Sequence, residues 1–424
     1  MTDAPPAAAT LGAASIAVAV LMAVAAGIFV ISEQGTSPAD PSNAVASVSS
    51  LPSVDHPHNG AGAAVIHRLE TAVRTGDRAG FLALTEPGNQ LGRTRLRHVF
   101  ANLQKLEVTD FAARYLGEGV GRTNQGDDEW VASVDMSWRL SGFDTRPVTQ
   151  QSSLTLATHD GRTYLERIGL PGDNRWPVWA LGPLTVLRRH GAVAVAVGKE
   201  RARTTLIGAA RAIRDVRRVI GSFDGPLLVI APATPRQFDR LVGVSTGAYP
   251  SIAAVTTTAD GSLRPHSLMT VDLNPTAFDR LGPAAAQVVL SHETTHAVTQ
   301  AVTTSLPAWL EEGFADYVAL RDTGLQPRVI ARGLLGHVRR HGAPVQLPTQ
   351  HAFQAGTLRL DRAYEASWLA CEMIARRYGQ DALVRLYERA GKTGAGAATY
   401  RVLRIGPEAL TRDWQRYLEG LAGG

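Results

Sequence analysis

The spacing of hydrophobic positions changes several times along the chain, and each change marks an expected element. Leu11 to Ile31 is an unbroken run with no charged side chain, long enough to cross a bilayer as a helix. Residues 1–10 form a short tail without Lys or Arg, and the apolar run exceeds a usual signal-peptide core, so a retained anchor is expected. Residues 32–62 are rich in Ser, Pro, Ala and Gly and read as a flexible tether. Beyond them, Ala64–Arg74, Arg78–Thr85 and Arg93–Leu103 have helical spacing. Trp130, Ala132, Val134, Met136, Trp138 and Leu140 then alternate with more polar residues, which predicts a strand with one apolar face. Asp160-Gly161 separates Ser153–Thr158 from Arg162–Ile168 and predicts a hairpin turn. Helices followed by an antiparallel meander give an α+β domain over residues 63–175.

Pro171 to Pro183, with two Trp and two Gly, reads as a junction between domains. A second domain is expected over 185–424. Strand patterns at Thr185–Leu187, Ala192–Val197, Leu227–Ile230, Ile252–Thr257 and Leu268–Leu273 surround an amphipathic helix at Lys199–Ile220. Gly282-Pro283 is a helix start, and Ala284 to Thr303 contains neither Gly nor Pro. The remainder is mostly helical, at Pro327–Arg340, Ala363–Tyr378, Gln380–Arg389 and Pro407–Leu421, with Gly379 and Gly391 as expected stops.

Composition narrows the class. Of 424 residues, 45% are hydrophobic and 19% charged, enough apolar content for true cores. The net charge of +5 is spread through Arg-rich helices and forms no single basic block, so no nucleic-acid partner is indicated. The one cysteine, Cys371, excludes an intrachain disulfide and sits in a helical run as a small core residue. The first Arg after the apolar run is Arg68 and only Asp3 precedes it, so the positive-inside rule sets no orientation; the chain beyond the run is expected on the extracytoplasmic side. Oligomeric state is not set by the sequence.

Candidate chemistry lies in Ser291-His292-Glu293-Thr294-Thr295-His296. On a helix, His292 and His296 project from one face, and two imidazoles so placed can hold one Zn²⁺ at roughly 2.0–2.1 Å each. Glu293, one position on, is placed to take a proton from an attacking water without binding the metal. A third ligand is offered by the segment Leu306-Pro307-Ala308-Trp309-Leu310-Glu311-Glu312-Gly313-Phe314-Ala315-Asp316-Tyr317. Glu312 and Asp316 share a helix face, so one can bind metal while the other accepts the N–H of a ligating imidazole.

Together, His-Glu-x-x-His and Pro-x-Trp-Leu-x-Glu-Gly-x-Ala-x-Tyr resemble the gluzincin metallopeptidases, specifically the peptidase MA-like family, over roughly residues 185–420. The resemblance implies a zincin-like domain and a peptide or protein substrate. It makes His292, His296 and Glu312 the zinc ligands, Glu293 the general base, and Asp316 the partner of a ligating imidazole. Glu311 competes for the third position, but the family pattern puts the ligand immediately before Gly, which selects Glu312. By the same resemblance Tyr364 is the oxyanion donor, with His351 the second choice. Met269, Thr270 and Val271, on the strand before the helix, are expected at a sheet edge where an extended substrate pairs. The Gly-x-Met-Glu-Asn signature of related aminopeptidases is absent, so aminopeptidase activity is not implied. The gap between His296 and Glu312 is shorter than in thermolysin-like enzymes. Element order over 63–175 is similar to the NTF2-like cone fold. The competing reading is a membrane-tethered binding or scaffold protein, with 63–175 as the binding part and a non-catalytic zinc domain.

Overall fold

The computed structural model describes residues 58–119, 129–143, 146–169, 175–221, 223, 225–353 and 360–424. The expected tail 1–10, the apolar run 11–31 and the tether up to residue 57 lie outside the described residues. No described helix is long and apolar enough to cross a membrane. The described chain divides into two compact units after Pro183.

In the first unit, helices Asn59–Thr75, Arg78–Leu82 and Gln90–Lys105 precede β1 (Val108–Glu118), β2 (Glu129–Leu140), β3 (Val148–His159) and β4 (Arg162–Ile168). The four strands form one antiparallel sheet in sequence order. The first helix begins inside the stretch expected as tether. Gly62 reads as linker from composition, but a Cβ there would lie 2.6 Å from the Tyr115 ring, so close packing accounts for the glycine. β1 carried no clear alternation in the sequence. Of its eleven residues Phe111 is the buried one, and two register shifts interrupt its pairing with β2. The stripe from Trp130 to Leu140 is buried at all six positions. Asp160 and Gly161 both have positive φ, 49° and 71°, the backbone that a two-residue turn of the primed type requires.

The expected junction is partly core. Trp179 is 1% exposed and meets Trp138 edge-on at 5.6 Å. Buried Asn102 donates to the carbonyls of Trp179 and Gly182, tying this stretch to the helix Gln90–Lys105. One aromatic side chain of this Pro/Gly-rich segment, Trp179, is thus an anchor of the first unit.

In the second unit, β5 (Thr185–Arg189), β6 (Ala192–Ala196), β7 (Leu227–Ala231), β8 (Ala254–Thr258) and β9 (Met269–Leu273) form a sheet in the order β5-β6-β7-β9-β8. β6, β7 and β9 run parallel; β5 and β8 are antiparallel to their neighbours. The central strands are buried throughout, as parallel strands covered on both faces must be. Helix Lys199–Ile220 has the expected bounds. Helix Pro235–Val242 was not anticipated, although its signals are local: Thr234 caps it, Pro235 starts it and left-handed Gly243 ends it.

Helix Pro283–Thr299 crosses this sheet. Val289 and Leu290 pack with Val229, Val271 and Ile213, while Val288 joins a second apolar cluster with Leu310, Phe314, Trp368 and Trp414. It stops earlier than its sequence predicts, because Gln300 turns left-handed at φ 56°. Helices Ala308–Leu320, Arg332–His341, Leu360–Tyr378, Gln380–Thr393, Ala395–Leu403 and Pro407–Gly423 complete the unit. Gly391 is not a stop. It sits inside its helix against the Thr304 methyl, and the break falls at Gly394, φ 80°.

Candidate active site

The i,i+4 spacing on helix Pro283–Thr299 brings the Nε2 atoms of His292 and His296 to 2.8 Å from each other. Glu312, on helix Ala308–Leu320, places Oε2 3.3 Å from His292 Nε2 and 3.6 Å from His296 Nε2. The three donor atoms lie within 4.8 Å of one another, and the residues are between 0 and 5% exposed. In the first unit Glu86, His159 and Glu166 also converge, but none of them is buried. Burial therefore separates the two clusters.

The donor set fits a zinc ion. His292 Nδ1 is 2.8 Å from Asp316 Oδ1. That contact holds the proton on Nδ1 in the neutral ring and turns the Nε2 lone pair toward His296 and Glu312. Glu312 Oε2 is buried and makes no aligned hydrogen bond. A buried carboxylate oxygen facing two imidazole nitrogens is an arrangement that a divalent cation satisfies. Burial alone would raise the Glu312 carboxyl, but the His296 and His292 imidazoles overcome it and hold it at about 2. Burial likewise opposes charge on His292, yet Asp316 and then Glu312 bring it to about 10, so a metal binding at Nε2 would displace a proton from that nitrogen.

Glu312 is placed by tight helix packing. Pro307 precedes the helix start, and Leu310 and Phe314 enter the core. At Gly313 a Cβ would lie 2.3 Å from the Ser367 carbonyl oxygen, so only glycine allows this approach of helix Leu360–Tyr378. The neighbouring Glu311 is also buried but is outside the donor cluster; burial first, and then Glu312, push its carboxyl well above the usual range.

Glu293 is buried beside the ligands. Its Oε2 is 2.6 Å from Thr256 Oγ1, and its own carbonyl is 2.9 Å from the same hydroxyl. Burial raises the Glu293 carboxyl, opposed by the His292 and His296 charges and the Thr256 hydrogen bond. Tyr364 is buried against Phe353, with ring centres 5.1 Å apart. Burial pushes its phenol well up, and the charges of Glu312, Asp316, Glu293 and Glu311 add to this. His351 is exposed, on the short turn Gln350–Phe353.

The expected substrate strand is corrected. Met269, Thr270 and Val271 lie on β9, which pairs with β7 on one side and β8 on the other, so its backbone groups are taken. The sheet crosses from β7 to β9 and places β8 outside, an order that strand spacing does not encode. Nor is β8 open, since its residues are 0 to 3% exposed.

Sequence reasoning missed several contributors. Thr256 comes from β8, and its reach to Glu293 depends on sheet order. Tyr387 bonds Thr299 at 3.0 Å and stacks on Phe314 at 4.3 Å. Asp215, on the helix Lys199–Ile220, accepts from Ser291 Oγ at 2.8 Å and anchors the His-bearing helix beside its first histidine. Two imidazoles, a buried carboxylate ligand and an adjacent carboxylate base can together bind a Lewis-acidic ion and move a proton.

No protein-family profile matches the chain, and no curated protein matches it. Among solved structures it is similar to a two-domain M1 zinc metallopeptidase mutant bound to L-tryptophan, at 15% identity and a TM-score of 0.35, over 68% of this chain and 61% of that one. An M1 zinc metallopeptidase mutant from Deinococcus radiodurans bound to a Tyr-Ser-Ala substrate matches at 14% identity and a TM-score of 0.34, over 68% and 61% of the two chains. The chain thus spans 61% of the length of these structures.

Proposed function

We propose that this chain is a membrane-tethered zinc peptidase that hydrolyses peptide bonds in a peptide or protein substrate. The reading rests on one observation: His292, His296 and Glu312 converge in a buried cluster with Asp316 on the outer nitrogen of His292 and Glu293 one residue away. A purely structural site has no need of that base, and structural zinc is usually closed by four protein ligands. His292, His296 and Glu312 hold the metal. Zinc, when bound, supplies Lewis acidity toward the scissile carbonyl and lowers the pKa of water. Glu293 accepts the proton of the attacking water and passes it to the leaving amine. Tyr364 donates its phenolic hydrogen to the oxyanion that develops on the carbonyl oxygen. The tether is the apolar run 11–31, supported by its length and lack of charge. An NTF2-like architecture for the first unit is supported by its three helices followed by a four-stranded meander.

Glu293→Gln tests the assignment. The variant should keep about one zinc per chain, measured by elemental analysis, and lose about 10²–10⁴-fold in hydrolysis of a peptide library. Full activity in the variant would remove Glu293 from the mechanism. A well-folded wild type without metal would remove the peptidase reading itself.

A further inference from the structure

We propose that Thr256 is a positioning residue for Glu293, holding one carboxylate oxygen so that the other faces the water it deprotonates; this rests on the peptidase reading above. The Thr256 hydroxyl has one hydrogen and two acceptors in reach, Glu293 Oε2 at 2.6 Å and the Glu293 carbonyl at 2.9 Å. The carbonyl lies within a helix, where the N–H four residues on can satisfy it. The shorter contact is to the carboxylate, and a hydrogen bond to a charged acceptor is the stronger of the two. Thr256 therefore donates to Oε2 and commits that oxygen.

The donor itself is fixed. Thr256 is β-branched, 2% exposed and paired with Val271 of β9, so its side chain has little rotational freedom. Its neighbour Val255 points away and packs with Phe238, Val242 and Ile252. The sheet thus presents a rigid hydroxyl to the base, and the base is held from outside its own helix. Among the described residues, Thr256 is the side chain that donates to Glu293. Without it, Oε2 sits buried and unsatisfied, and the carboxylate gains rotamers in which neither oxygen faces the substrate.

The test compares the full-length wild type with Thr256→Val, which keeps shape and removes the hydroxyl, and Thr256→Ser, which keeps the hydroxyl. The expected result for T256V is unchanged zinc content and KM with kcat lowered about tenfold to a hundredfold, while T256S stays within about threefold of wild type. A purely structural role would instead lower the melting temperature and metal content, and serine would not restore kcat selectively. Unchanged kcat in T256V, or equal losses in both variants, overturns the proposal. Should valine prevent folding, Thr256→Ala is measured in the same way. If the wild type hydrolyses nothing, the peptidase reading has failed, and crystal structures of the zinc-loaded wild type and T256V decide Thr256 separately. A Glu293 carboxylate that rotates in T256V supports the positioning role, and one that stays in place overturns it.

Discussion

The contact between His292 and Asp316 carries more of the site than its size suggests. Asp316 is fully buried, 2.8 Å from the nitrogen that faces away from Glu312. Replacing it by Asn keeps the shape but offers a weaker, uncharged acceptor. Asp316→Asn should weaken zinc binding about 10–100-fold, read by competition with a chelator, with the fold retained. Unchanged affinity would mean that His292 is oriented by packing alone. At this scale the sequence was informative where neighbours in space are neighbours on one helix. His292 and His296 share a face, as do Glu312 and Asp316, because positions four apart always do. Thr256 was not legible, since it lies 37 residues from Glu293 and meets it only through the placement of β8.

One contact between helices sets where Glu312 sits. Gly313 allows helix Ala308–Leu320 to touch the Ser367 carbonyl, and a backbone oxygen cannot move aside as a side chain can. Gly313→Ala should cost roughly 1–3 kcal/mol or more by overpacking and displace Glu312, so denaturant titration and zinc content should fall together. A stable variant with full zinc would show that the helices can separate without cost. Elsewhere, Glu365 accepts the backbone N–H groups of Gly333 and Leu334 at the start of helix Arg332–His341. Burial pushes its carboxyl up to about 7 from 4.5, although those two donors and Arg362 pull it down; Asp361 pushes up as well. The folded chain thus favours the protonated form. This contribution is complete below pH 4.5 and is lost as the pH rises through about 7. Melting temperatures from pH 4.5 to 8 should include this decline in the wild type and lack it in Glu365→Gln; identical profiles would remove Glu365 as the source. Elements were legible where local signals agreed, as in Lys199–Ile220 and Arg162–Ile168. β1 escaped because most of its face is polar and its register shifts twice.

The second unit contains its own sheet, its own apolar clusters and every residue of the candidate site. Residues 184–424 should therefore fold cooperatively alone and hold about one zinc, since a domain with its own core can fold by itself. An unfolded fragment, followed by circular dichroism on heating, would show that its stability needs the rest of the chain. By itself the sequence determined the mixture of helices and strands, most of the helices, the apolar stripe of β2 and the pairing of His292 with His296 on one helix face. Those follow from periodicity, caps and spacing, which act over a few residues. Tertiary structure decided the strand order that buries β9, the inclusion of Trp179 in the first core, and the meeting of Thr256 with Glu293. These join residues far apart in sequence, and sheet order and helix packing are fixed by which apolar faces bury each other, a choice that local pattern does not encode.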